Sequence, residues 1–136
     1  MKLSEDLYNI SLSLLTDLYQ VTMAYGYWKN DITEREAVFH MYFRKNPFEG
    51  GYTIAAGLDY AIDFLNNFRF TDEDISYLRG LKGNDHQPIF EEGFLQYLQE
   101  MEFSCDIDAI PEGTVVFPNE PLLRVKGPLF QCQLLE

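Results

Sequence analysis

Glu36-Ala37-Val38-Phe39-His40-Met41-Tyr42-Phe43-Arg44 alternates residue by residue. Ala37, Phe39, Met41 and Phe43 fall on one face and Val38, His40, Tyr42 and Arg44 on the other. The segment therefore predicts a strand with an apolar side and a side carrying polar tips. Upstream the period changes: Leu14, Leu18, Val21 and Tyr25 recur at helical spacing over residues 14–28, with Gly26 and Asn30 as stop signals. Downstream, Asn46-Pro47-Phe48-Glu49-Gly50-Gly51 breaks both patterns and predicts a loop. Tyr52 to Ala55 reads as a second short strand, and Leu58, Ala61, Ile62 and Leu65 mark a second helix.

Thr71-Asp72-Glu73-Asp74 is an N-cap followed by acids that suit the helix dipole, and Ile75, Leu78 and Leu81 give that helix a buried stripe. Phe90, Phe94, Tyr97, Leu98 and Met101 mark another helix beyond a polar connector, Gly80 to Pro88. From Cys105 onward, short strands separated by Pro111-Glu112-Gly113 and Pro118-Asn119-Glu120-Pro121 predict a small antiparallel sheet. The order is helix, strands, helices, strands, so the fold class is α+β. Pro128 sits where a helix can begin, and Leu129, Leu134 and Leu135 open an apolar face. The chain is expected to be a truncated piece of a longer one.

A chain of 136 residues with 46% hydrophobic and 15% aromatic content suffices for one domain with its own core. Its net charge of −12 argues against nucleic acid and anionic membrane surfaces, which need a basic footprint. Met1 to Asp6 carries two acids with no apolar run after it, unlike a secretory leader, and no stretch is long and apolar enough to span a bilayer. A cytoplasmic location is expected. Cys105 and Cys132 match no metal or redox spacing and read as reduced thiols.

On the residues alone, Thr16 caps the first helix, Asp17 favours its dipole and Tyr19 lies on a surface. Asp17 and Tyr19 lie about 200° apart around a helix, so they share a site only where a helix end faces a ligand. Arg44 and Lys45 read as a solvated strand end. Against the acidic background they also form a local anion grip, because a guanidinium can hold a phosphate through two parallel bonds. His40 reads as a packed, hydrogen-bonded strand residue and His86 as a solvated one. Asp106 and Asp108 alone are too few ligands for a metal, and Arg124 with Lys126 reads as structural. There is no GxGxxG and no GxxxxGKS/T phosphate loop.

Leu15-Thr16-Asp17-Leu18-Tyr19-Gln20, Phe39 to Arg44, Ala56-Gly57-Leu58-Asp59-Tyr60, Asp108 to Pro118 and Asn119 to Val125 together resemble the amino-terminal part of the nicotinate phosphoribosyltransferase family. The resemblance runs in order over nearly the whole chain. It implies helices and a small open-faced β sandwich that pack beside an α/β barrel, the barrel being absent from residues 1–136. It implies an enzyme of NAD salvage that forms nicotinate mononucleotide and pyrophosphate from nicotinate and phosphoribosyl pyrophosphate (PRPP), with ATP hydrolysis and Mg2+. The chain alone is then expected to be inactive, and to bind neither of these cofactors by itself. In the family the matching residues serve the neighbouring subunit of a homodimer: Tyr19 stacks on the pyridine base, Asp17 orders the base end of the pocket, and Arg44 contacts the pyrophosphate. The family's catalytic histidine belongs to a later segment, so His40 is not that residue. A nicotinamide-preferring relative and a non-catalytic α+β interaction module remain as alternatives.

Overall fold

The structure is a computed structural model that describes residues 11–135. The Met1–Asp6 segment considered above and Glu136 lie outside the described residues. In chain order the elements are α1 (Leu18–Lys29), β1 (Glu36–Met41), a single 3-10 turn (Pro47–Glu49), β2 (Thr53–Ile54), α2 (Leu58–Asn66), α3 (Asp72–Gly80), α4 (Glu92–Gln99), β3 (Asp106–Ala109), β4 (Val115–Val116), β5 (Leu123–Pro128) and α5 (Leu129–Leu134). The expected α+β class is borne out.

α1 begins at Leu18, later than the periodicity from Leu14 predicts. The cause is local. Asp17 is the N-cap, and its N–H donates to Gln20 Oε1 at 2.9 Å, while the Thr16 hydroxyl donates to the same oxygen. Thr16 thus supports the cap without being it. Gly26 lies inside the helix and stops nothing; Asn30 closes it, its N–H and Nδ2 both donating to the Gly26 carbonyl at 3.2 and 2.8 Å. The buried stripe is Gln20, Val21 and Ala24, and Leu18 is half exposed.

β1 runs only to Met41, short of the expected Arg44. The chain after it is held instead by the β4–β5 connector: Leu122 N–H donates to the Met41 carbonyl and Asn119 N–H to the Phe43 carbonyl, each at 2.8 Å. The C-terminal strands do not form a sheet of their own. β5 lies between β1 and β3, antiparallel to both, and β4 pairs with β2 in a separate two-stranded ladder. Pro118 and Pro121 lack backbone donors, which keeps β4 and β5 from zipping into a hairpin, so each takes a distant partner.

Register sorts the three-stranded sheet into two faces. Phe39, Val125 and Ile107 align in one row and Met41, Leu123 and Ala109 in another, all on the apolar face. The rows His40, Arg124, Asp108 and Val38, Lys126, Asp106 form the other. There Arg124 Nη2 meets Asp108 Oδ2 at 2.6 Å and Lys126 Nζ meets Glu36 Oε2 at 3.2 Å, so the structural reading of both cations holds.

The core lies among α1, α3, α4 and α5. Phe94 is fully buried, with ring centroids of Tyr25 at 5.0 Å, Phe90 at 5.4 Å and Phe130 at 6.2 Å. α5 is more than the start of an apolar face: Phe130, Gln131, Cys132, Gln133 and Leu134 are all buried. Its glutamines survive burial because they are hydrogen-bonded. Gln131 Oε1 accepts Ser104 N–H at 2.9 Å and its Nε2 donates to the Glu102 carbonyl at 3.0 Å; Gln133 Oε1 accepts the Tyr27 hydroxyl at 3.0 Å.

Candidate functional site

Two neighbouring clefts hold the residues singled out in the sequence. The first, about 500 Å3, forms where the chain enters α1. Thr16, Asp17, Tyr19 and Gln20 line it on one side and Phe64, Leu134 and Leu135 on the other. Asp17 precedes the first helical residue and Tyr19 is the second, so both line one cleft at a helix start, the one arrangement that allows them a common site. Tyr19 is 47% exposed, leaving ring surface for a planar ligand.

The second cleft, about 690 Å3, lies between the apolar face of the sheet and α2. Phe39, Met41, Leu123 and Val125 form its floor, Ala61, Phe64 and Leu65 its wall, and Arg44 also lines it. Arg44 and Lys45 are both exposed, and among the described residues Arg44 has no carboxylate partner. The structure therefore joins Asp17 with Tyr19 and sets Arg44 in the adjoining space. Phe64 and Leu135 line both clefts.

His40 is exposed and lines the second cleft, which corrects its reading as a packed residue. Register puts His40 in the polar row with Arg124 and Asp108, both of them exposed, at the rim of that cleft. His86 is exposed in the connector with φ of 61°, as a solvated turn residue.

Sequence reasoning missed Phe64, whose spacing from Ala61 would have placed it on the helix face toward the sheet. It also missed Glu112. The Glu112 carboxylate reaches the start of α2, where Oε1 accepts Gly57 N–H at 2.7 Å and Asp59 N–H at 3.5 Å. Gly57 has φ of 102°, a backbone region that a side chain would strain.

Burial pushes the pKa of the Cys105 thiol up to about 12 and also raises that of Cys132. No group of three or more His, Cys, Asp or Glu among the described residues could hold a metal ion, and Asp108 is already committed to Arg124. No helix among the described residues is long and apolar enough to cross a membrane.

Fold and clefts define a class: a mixed α+β domain that presents ligand-sized spaces at a helix start and beside a sheet face. Comparison with known proteins goes further. Residues 14–136 match the family described as nicotinate phosphoribosyltransferase (NAPRTase) N-terminal domain, and the chain belongs to that family. It is 52% identical over 124 residues to nicotinate phosphoribosyltransferase 1 of Arabidopsis thaliana, covering 90% of this chain and 21% of the relative. It is 47% identical over 126 residues to the Bacillus subtilis nicotinate phosphoribosyltransferase, covering 93% of this chain and 24% of the relative. The crystal structure of human nicotinic acid phosphoribosyltransferase superposes with a TM-score of 0.76 at 41% identity, over 90% of this chain and 24% of that one. The chain thus spans about a fifth to a quarter of the length of these relatives.

Proposed function

We propose that this chain forms the N-terminal part of a cytoplasmic enzyme that joins nicotinate to PRPP, giving nicotinate mononucleotide and pyrophosphate in NAD salvage with ATP hydrolysis. The family match over residues 14–136 carries this reading. The enzyme acts as a homodimer, engages neither nucleic acid nor membrane, and shares its sites between subunits. Tyr19 stacks on the pyridine ring, and Asp17 orders the base end of the same cleft; their joint position at the start of α1 supports both roles. Arg44 grips the pyrophosphate through its guanidinium while the C1–O bond of PRPP breaks. Charge then builds on the leaving oxygen, and a cation fixed beforehand stabilises it more as the bond lengthens. The exposure of Arg44, and its lack of a carboxylate partner among the described residues, support that role in a chain this acidic. Mg2+ and ATP are held by parts of the enzyme outside this chain in this reading.

The test compares the 136-residue chain with the full-length enzyme, each incubated with nicotinate, PRPP, ATP and Mg2+. The full-length enzyme should form nicotinate mononucleotide and the chain alone should form none. Product from the isolated chain would sink the fragment reading. Turnover of nicotinamide in place of nicotinate would move the assignment to the nicotinamide-preferring relative, and a full-length protein inert toward both bases would leave an interaction module.

A further inference from the structure

Pro111-Glu112-Gly113-Thr114 has no part in the chemistry above, yet it carries a carboxylate to an unusual place. The turn is stitched to the end of β2: Gly113 N–H donates to the Ala55 carbonyl and Ala55 N–H to the Thr114 carbonyl, both at 2.9 Å. From that fixed base Glu112 Oε1 takes the Gly57 and Asp59 N–H groups at the start of α2. A carboxylate suits this end of a helix, where free N–H groups and the dipole both favour negative charge.

α2 needs such a hold, because none of its nine residues is fully buried. Its other end is closed only locally, by Asn67 Nδ2 donating to the Asp63 carbonyl at 2.7 Å, a bond that does not tie the helix to another element. A helix this short therefore shifts as one body and carries Phe64, whose ring lies 5.1 Å from that of Phe68, along with its start. Phe64 is also the side chain of this helix that lines both clefts. Movement of the helix start therefore moves the partition between the space that holds Asp17 and Tyr19 and the space that holds Arg44.

We infer that Glu112 is a positioning residue: it pins the start of α2 and so sets Phe64, the wall common to the two substrate clefts. The reference to substrates rests on the function proposed above; the mechanical link does not. Loosening the pin should widen the range of positions open to Phe64. Both substrates would then bind less well, while bond breaking, which Glu112 does not touch, would change little.

Glu112→Ala in the full-length enzyme tests this by two independent readouts. Amide hydrogen exchange at Gly57, Asp59 and Ala61 should accelerate about fivefold or more, roughly the loss of one capping interaction. KM for nicotinate and for PRPP should each rise at least threefold with kcat within twofold. Glu112→Gln keeps an acceptor oxygen and should recover most of both effects. If the alanine variant fails to fold, Glu112→Asp, one methylene too short to reach Gly57 N–H from the same turn, takes its place with the same expected direction in both readouts. A Phe64→Leu change should raise the same KM values, and combining it with Glu112→Ala should add less than the sum of the two, as residues acting through one element do. Unchanged exchange overturns the pin. Faster exchange with unchanged KM, or with strictly additive effects, overturns the positioning role. An enzyme inert toward nicotinate would remove the substrate reading while the exchange data still judged the link between Glu112 and α2.

Discussion

Phe94 and Phe39 each sit where the period of their own element puts an inward-facing residue, yet they end in different surroundings. Phe94 on α4 is wholly enclosed by rings from α1, α5 and the segment before α4. Phe39 on β1 is half-buried and faces a cleft closed only partly by α2. α3 and α4 bury Ile75, Leu78, Phe94, Leu95 and Leu98, while α2 buries no residue fully. Around the sheet, Met41, Val38, Tyr60 and Ile62 all remain exposed. The helical end is thus finished as a core, and the sheet end keeps apolar surface in reserve. The candidate binding residues lie toward that unfinished end, where exposed apolar patches commonly mark contact with something else.

The sharpest test of the contrast is Phe94→Ala, which should cost about 3–5 kcal/mol in urea unfolding, since an enclosed ring leaves a cavity that cannot collapse. A cost near 1 kcal/mol would mean that the helical end is no tighter than the sheet. Arg44→Ala should leave stability alone and lower kcat/KM for PRPP roughly ten- to over a hundredfold in the full-length enzyme, from the ~1.5–3 kcal/mol of a charged hydrogen bond. PRPP kinetics unchanged within twofold would return Arg44 to a solvated strand end. Phe39→Ala should destabilise by only about 1–2 kcal/mol, part of what burying a whole Phe contributes; a loss matching that of Phe94→Ala would show the sheet face to be closed after all. Smallest of the four, Tyr19→Ala should raise KM for nicotinate about two- to tenfold, as expected from the ~0.5–1.5 kcal/mol of ring stacking. An unaltered KM would take the base away from the first cleft.

Features set by neighbours in sequence were readable. The alternation of Ala37 and Phe39 gave β1, and Thr71 with Asp74 closes the predicted cap, Thr71 N–H donating to Asp74 Oδ2 at 2.8 Å. That Asp17 and Tyr19 line one cleft follows from the helix starting at Leu18, a start the periodicity from Leu14 did not give. Partners distant in sequence were not readable. Nothing local in β5 announces that it will pair with β1, since strand period fixes faces and not mates. α5 was underread because Gln131 and Gln133 interrupt its apolar pattern, and their buried partners, Ser104 and Tyr27, are far away in the chain. The start of α1 was misjudged for a related reason: Leu14 and Leu15 continue the helical period, but Gln20 turns back to Asp17 and closes the helix there.

α5 has a consequence for the biosynthesis of the protein. The helix that fills the middle of the core, and the strand β5 that completes the sheet on both sides, occupy residues 123–134 and leave the ribosome after everything they organise. Until they emerge, the nascent chain carries α1 without its packing partner and β1 as an unpaired edge. Such a segment cannot fold stepwise from its front, and its exposed strand and aromatic residues are the kind of surface that chaperones bind and that promotes aggregation when translation stalls. Interrupted synthesis short of β5 should therefore yield chains fit for proteolysis rather than a smaller stable domain.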